Sequence, residues 1–330
     1  MSERTNDAIL EVRDLQMHFR LRSGLFGRST RTVKAVDRVD LEIRREQTLS
    51  LVGESGCGKT TVGRCIIGLQ KISGGEIRLD GQRIDNLGAR QLHPHRRRMG
   101  MVFQDPFSSL NPRQRVSELV AEPIRSLKLL PAGKIAGRVE ELLGLVGLPA
   151  GSSRRWPHEF SGGQRQRICI ARALAGEPDL LICDESVSAL DVSVQAQIIN
   201  LLCDLQKRLG LAILFISHDL AVVEHLSHQV AVMYLGRIVE KGPRDRVFSR
   251  PAHPYTQALL SAAPVPDPAA SDRRIILQGD VPSPTAPPPG CRFSTRCPHA
   301  FDRCHVEEPA MTALEEGAAA CHLLEKETTA

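Results

Sequence analysis

The order of elements along these 330 residues predicts an α/β protein, with buried strands alternating with helices. Three observations carry the prediction. Short apolar runs (Thr48–Val52, Leu180–Cys183, Leu211–Ile216, Val230–Tyr234) alternate with helical stretches. One of those runs, Thr48–Val52, leads straight into a glycine-rich loop and then a helix. A largely helical block, Ser108 to about Ala175, interrupts the alternation as an inserted subdomain.

Taken in order, Ile9–Arg20 and Thr32–Ile43 alternate enough to form strands of an N-terminal sheet, separated by an inserted loop at Gly24–Arg28. Thr48–Val52 is a buried strand, and Val62–Leu69 continues as a helix after the loop. Ile77–Leu79 and Met101–Phe103 are further short strands. Val116–Leu127, Ile135–Val146 and Gln164–Ala175 are the helices of the inserted subdomain. Val194–Leu209 carries Ile198, Leu201, Leu202, Leu205 and Leu209 at helical spacing. Leu211–Ile216, Val230–Tyr234 and Ile238–Lys241 complete the sheet. After Arg250 the composition shifts: Pro264–Pro268 and Pro282–Pro289 are extended linkers leading to a small tail, Cys291–Cys321. The expected domains are therefore 1–250, with the helical subdomain at about 108–175, and an extension at 251–330.

Bulk composition excludes some functions. Hydrophobic content of 42% and charged content of 25% suit a globular protein. Aromatics at 4% argue against base-stacking platforms, so no nucleic-acid partner is expected. The net charge of +5 is compatible with work near phosphates or an anionic membrane face. Met1 to Asp7 is polar, and no apolar run approaches the ~20 residues of a membrane span. A cytosolic protein is expected, serving a membrane only from its surface, with its nine cysteines outside disulfides.

The chemistry begins at Gly53-Glu54-Ser55-Gly56-Cys57-Gly58-Lys59-Thr60-Thr61. Glycines at 53, 56 and 58 let backbone N–H groups turn inward around a phosphate chain, and the next helix aims its positive end at the same anion. Lys59 would reach the β- and γ-phosphates and Thr60 would hold Mg²⁺. Asp184 and Glu185 end an apolar strand, where a carboxylate suits Mg²⁺ ligation and its neighbour suits activation of water. His218 ends the next strand and could donate to the γ-phosphate. Ser161-Gly162-Gly163-Gln164 opens a helix far from Lys59 and forms a second phosphate-contacting element. His95–Arg98 is a basic run, expected to be a solvated face.

These motifs, in this order, resemble the nucleotide-binding subunits of ABC transporters over about Ile9 to Gly242. The fold implied is a P-loop NTPase: a RecA-like core with an antiparallel β subdomain and the inserted helical subdomain. Gly53–Thr61 resembles the Walker A loop, Gln104 the Q-loop glutamine that touches Mg²⁺, and Ser161–Gln164 the family signature. Leu180–Asp184 resembles Walker B, Glu185 the catalytic glutamate, Ser188–Asp191 the D-loop and His218 the switch histidine. Phe19 resembles the aromatic residue that stacks on adenine, where tyrosine is the commoner choice; Ser186 stands where relatives usually have proline. The resemblance implies ATP and Mg²⁺ as cofactors. It also implies a head-to-tail pair of ATPase subunits, with the signature of one capping the γ-phosphate held by the other. Two transmembrane permease subunits would dock near the Gln104–Pro112 loop and the start of the Val116–Leu127 helix, and an extracytoplasmic solute-binding protein would deliver cargo through the complex. The place of work implied is the cytoplasmic face of the membrane.

His253–Leu260 and the proline-rich sequence after it resemble oligopeptide/dipeptide importer ATPases, and the Gly24–Arg28 insertion resembles their second, F-type subunit. Nickel, glutathione and sugar-peptide importers share this ATPase type, so cargo stays open. A non-transport ABC ATPase of DNA repair or translation is the other-class alternative; its usual second nucleotide domain and coiled coils are absent from the sequence. A scaffold that binds ATP without hydrolysis is a third, against which Glu185 and His218 count. Cys291, Cys297, Cys304 and Cys321 form a C-x5-C-x6-C-x16-C set. A [4Fe-4S] cluster, which related importer ATPases carry in this tail, suits the irregular spacing better than zinc; zinc and unligated thiols are the alternatives.

Overall fold

The computed structural model describes residues 8–23, 29–262 and 275–327. The Gly24–Arg28 loop and the Pro264–Pro268 linker lie outside the described residues. In chain order the elements are β1 (Ala8–Ser23), β2 (Ser29–Arg44), β3 (Thr48–Val52), α1 (Lys59–Ile66), β4 (Gly74–Leu79), β5 (Gln82–Arg83), α2 (Ala89–Arg97) and β6 (Met99–Val102). There follow α3 (Pro106–Ser109), α4 (Val116–Ser126), α5 (Ala132–Leu145), α6 (Gly162–Leu174), β7 (Leu180–Asp184), α7 (Val192–Leu209) and β8 (Ala212–Ser217). The last elements are α8 (Leu220–Leu226), β9 (Gln229–Tyr234), β10 (Arg237–Pro243), α9 (Arg244–Ser249), α10 (Pro254–Ser261), α11 (Asp302–Val306), β11 (Thr312–Ala313), β12 (Ala318–Ala319) and α12 (Leu323–Glu327). A four-stranded sheet runs β2-β1-β4-β5, with β4 and β5 antiparallel. The chain divides into two compact units.

The first unit takes residues up to Glu11, Glu42–Thr48 and Arg78–Ser217. Its parallel strands β6, β7 and β8 pair in register Met99↔Leu180 and Cys183↔Phe215, and β7 and β8 are buried along their whole length. Continuous apolar runs such as Leu180–Cys183 are what a sheet covered on both faces requires. Helices α4, α5 and α6 pack together within this unit. They bury Val116, Leu119, Val120 and Ile124 of α4, Ile135, Val139, Leu142 and Leu143 of α5, and Ile168 and Ile170 of α6. At Gly100 a Cβ would lie 2.6 Å from the Ala173 carbonyl oxygen, so only glycine lets β6 and the end of α6 approach this closely.

The second unit takes Val12–Leu41, Leu49–Ile77 and the chain from His218. Here β3 pairs parallel with β9, β9 antiparallel with β10, and β10 antiparallel with β12 of the tail. An aromatic group anchors the tail: Tyr234, Tyr255 and Phe293 are all buried, with ring centroids 4.7 to 5.4 Å apart. Arg292, also buried, donates to the Asp37 carboxylate and the Leu235 carbonyl. Glu240, with no exposed surface, accepts from Arg246 and from the N–H groups of Ala252 and His253. Residues 275–290 form no helix or strand, in keeping with an extended Pro282–Pro289.

Three differences from the sequence expectation have physical causes. The helix after the loop begins at Lys59 rather than Val62, because Gly58 at φ 109° turns the chain directly into it. Helix α2 has no apolar stripe to announce it: Leu92 alone is buried and Pro94 sits inside it. Of the basic run that closes α2, Arg96 and Arg97 are exposed as expected, but Arg98 bridges Asp80 at 2.9 Å and also binds Asp179.

Candidate active site

The expected site residues fall into two sets, one in each unit. In the second unit, buried β3 ends at Val52 and Gly53 follows at φ 152°; a Cβ there would lie 2.1 Å from the Met233 carbonyl oxygen. Gly56 (φ 79°) and Gly58 complete the left-handed turns, leaving Ser55 and Gly56 exposed at the tip. Cys57 points inward, and burial pushes its thiol up. Lys59 is 3% exposed, and its Nζ donates to the carbonyls of Gly53 (2.7 Å) and Glu54 (2.9 Å). The amine thus folds back into its own loop, beside the N–H groups that would cradle phosphate. Thr60 and Thr61 stand in the first turn of α1, which carries no acidic residue to oppose an anion. Glu54 is gripped from the tail: its N–H donates to Tyr255 Oη at 2.9 Å, and its carboxylate accepts from Arg296 Nη1 and Nη2 at 2.8 and 3.1 Å. His218 lies exposed ahead of α8, whose first N–H groups are capped by Asp219. Phe19 is half-buried on β1.

In the first unit, Gln104 leaves the end of β6 and Glu185 follows β7. Gln104 Nε2 donates to Glu185 Oε2 at 2.7 Å. Glu185 adopts φ 45°, rare for a residue with a side chain, and its N–H donates to the Ile216 carbonyl at 2.9 Å. Asp184 before it is 1% exposed. Ser186, in the place of the usual proline, is buried. Ser161 caps α6 reciprocally with Gln164: Ser161 Oγ accepts the Gln164 N–H, and Gln164 Oε1 accepts the Ser161 N–H. Gly162 and Gly163 form the first turn, and a Cβ on Gly163 would lie 2.4 Å from Val194 Cγ1 of α7. Asp191 caps α7 by accepting from Ser193 Oγ (2.7 Å) and the Val194 N–H (2.9 Å), bonds that hold its carboxyl below the usual range.

The structure thus joins Gln104 to Glu185, and Lys59 to Gly53 and Glu54. The residues missed by sequence reasoning are Tyr255 and Arg296. The His253–Leu260 segment and Cys297 stood out beside them, but no spacing rule links either to Glu54, 201 and 242 residues away.

In the tail, Cys291 lies near the other three cysteines. Cys291 donates its N–H to the Cys304 carbonyl at 2.8 Å, and burial, with the neighbouring Cys304, Cys321 and Cys297, pushes the Cys291 thiol up to about 11. Cys297 and Cys321 are also raised, mainly by burial. Among the described residues no three Cys, His, Asp or Glu side chains are grouped to hold a metal ion. The expected [4Fe-4S] cluster on Cys291, Cys297, Cys304 and Cys321 thus finds no support among the described residues.

A model of the ABC transporter family matches residues 36–188, and one of the oligopeptide/dipeptide transporter C-terminal region matches residues 239–304. The chain is 50% identical over 319 residues to the "Probable peptide ABC transporter ATP-binding protein y4tS" of Sinorhizobium fredii, covering 96% of this chain and 90% of that one. It is 49% identical over 327 residues to the "Oligopeptide transport ATP-binding protein AppF" of Bacillus subtilis, covering 98% and 99%. Among solved structures, cbiO1 of Clostridium perfringens, part of an ABC transporter complex, matches with TM-score 0.64 at 30% identity, over 74% of this chain and 92% of that one. The ATP-binding cassette MJ0796, in a dimeric post-hydrolysis state bound to ADP and Pi, matches with TM-score 0.63 at 26% identity, over 71% and 98%. The chain therefore belongs to the ABC transporter family as an ATP-hydrolysing cassette subunit, in the branch marked by the oligopeptide/dipeptide transporter C-terminal region.

Proposed function

We propose that this chain drives import of di- and oligopeptides as one ATPase of a head-to-tail pair beneath two membrane permease subunits, at the cytoplasmic face. The observation that carries the reading is the match of nearly the whole chain, tail included, to relatives named for peptide transport. The cassette would extend to about residue 250, with the C-terminal extension beyond it. No helix of the described residues is long and apolar enough to cross a membrane, so passage is assigned to partner chains. A solute-binding protein outside the membrane would choose the cargo.

In the proposed cycle, Gly53–Thr61 wraps the triphosphate and Lys59 leaves the Gly53 and Glu54 carbonyls for the phosphate oxygens. Phe19 stacks on the adenine. Thr60, Gln104 and Asp184 supply oxygen ligands of the hard type that Mg²⁺ takes; the bond to Glu185 uses the Gln104 nitrogen, not its oxygen. Mg²⁺ would neutralise developing charge on the phosphates. Glu185 accepts the proton of the attacking water, and His218 donates to the γ-phosphate. Ser161, Gly162, Gly163 and Gln164 present donors to the ATP held by the partner ATPase, and Asp191 fixes the neighbouring loop. An iron–sulfur cluster forms no part of this proposal.

The test is reconstitution of the chain with its partner ATPase and permeases in liposomes. Peptide-loaded binding protein in the lumen should stimulate ATP hydrolysis and drive peptide outward from the lumen to the cassette side. Stimulation by nickel or glutathione, with none by peptides, would overturn the choice of cargo.

A further inference from the structure

We propose that Arg296 of the C-terminal extension is a positioning residue of the ATP site, neutralising and orienting Glu54 so that the phosphate loop accepts a triphosphate. The inference rests on the ATP-site reading of Gly53–Thr61.

A carboxylate at the second position of a phosphate-binding loop is an electrostatic liability. Glu54 carries its negative charge in a loop that must receive several more, and like charges in a partly dry site repel strongly. The structure supplies the counterweight from the far end of the chain. Arg296 is 9% exposed and Glu54 28% exposed, and the two meet in a bidentate pair. A planar guanidinium suits this geometry, giving direction as well as charge. Arg296 is itself held in place. Its guanidinium lies 5.9 Å from the centroid of the buried Tyr234 ring, with Nη1 3.5 Å from Tyr234 Oη.

Glu54 is thereby held by four groups. Arg296 takes its carboxylate, Tyr255 Oη takes its N–H, and both Lys59 Nζ and the Cys57 N–H donate to its carbonyl. Two of these holds come from the extension, through residues on either side of the 263–274 segment, and one is the amine that must turn to the phosphates. When Lys59 turns, the Cys57 N–H keeps the carbonyl, and Arg296 and Tyr255 are the contacts on the carboxylate and the N–H. The extension therefore contributes to nucleotide affinity through charge and orientation without itself touching nucleotide.

The experiment compares wild type, Arg296→Met, Glu54→Gln and the double variant as full-length chains. It measures binding of a fluorescent ATP analogue and steady-state ATPase activity. Arg296→Met should raise Kd and KM for nucleotide about tenfold, while kcat changes by less than about twofold. Adding Glu54→Gln should restore most of the lost affinity, because the uncompensated carboxylate is gone. Affinity unchanged in Arg296→Met, or a double variant no tighter than Arg296→Met, overturns the proposal. A merely structural Arg296 would lower the melting temperature without rescue by Glu54→Gln. Should Arg296→Met not fold, Arg296→Lys and Arg296→Gln separate charge from size: affinity that follows charge supports the proposal, and affinity indifferent to charge overturns it. Wild-type binding, and its loss in Lys59→Ala, test the ATP-site reading itself and so separate its failure from that of the Arg296 assignment.

Discussion

Gln104 donates its side-chain amide to the Glu185 carboxylate across 2.7 Å, joining the ends of β6 and β7 by one hydrogen bond. A carboxylate oriented in this way, on a residue whose backbone is held at φ 45°, is suited to take a proton from water in a fixed direction. Glu185→Gln keeps the shape and removes the base. ATP hydrolysis should fall by about 10²- to 10⁴-fold with nucleotide binding retained, as measured by single-turnover phosphate release beside equilibrium binding. Hydrolysis at the wild-type rate would remove Glu185 from its proposed role.

Helix α6 is packed with no spare room at Gly163, where a new Cβ would lie 2.4 Å from Val194 Cγ1. Gly163→Ala should destabilise the chain by about 1–3 kcal/mol through overpacking. Val194→Ala, which removes the obstructing methyl group, should recover most of that loss. Chemical denaturation of the two single variants and the double variant measures the coupling directly.

His253 is 1% exposed, and burial holds its imidazole down to about 3. It is neutral in the folded chain and accepts the Tyr255 N–H through Nδ1 at 3.0 Å. Unfolded, the same ring takes a proton near pH 6.5. Below that pH the unfolded state binds the extra proton, so stability is present above about 6.5 and is lost toward pH 3, with a slope approaching about 1.4 kcal/mol per pH unit. His253→Asn keeps an N-cap acceptor without the titration. Its melting temperature should decline less steeply than wild type between pH 6.5 and 4.5.

Glu240 and Arg246 form a buried pair completed by the N–H groups of Ala252 and His253. Removing one partner strands a charge in the interior. Arg246→Met should therefore cost about 3–5 kcal/mol of stability. Urea titration of this variant checks the figure, and a loss under about 1 kcal/mol would show that the pair contributes little.

Strands β3, β7, β8 and β9 were legible because each is a short apolar run, and burial on both faces demands that pattern. The turns of the 53–58 loop were legible because Gly53, Gly56 and Gly58 meet backbone demands that only glycine satisfies cheaply. Helices α2 and α9 were not, because α2 buries only Leu92 and α9 is six residues long. The union of Gln104 with Glu185 was hidden for a different reason. It depends on the register Val102↔Cys183 between parallel strands, which no local pattern encodes. The hold of Arg296 on Glu54 is the extreme case, since it spans 242 residues. The four tail cysteines were plain in the sequence, but that they stand as neighbours of one another is set by the fold.

The pairing of β10 with β12 has a consequence for biosynthesis. Ala318 and Ala319 cover an edge of β10 that would otherwise offer unpaired backbone groups to any other strand. On the ribosome, β9 and β10 emerge well before the segment that shields them, and so does the loop that waits for Tyr255 and Arg296. Chains stalled or clipped before residue 290 would leave that edge bare and Glu54 without Arg296, and should be both sticky and poor in nucleotide. Late closure of this kind gives quality-control proteases a simple criterion, since an unfinished chain exposes a strand that a finished one conceals.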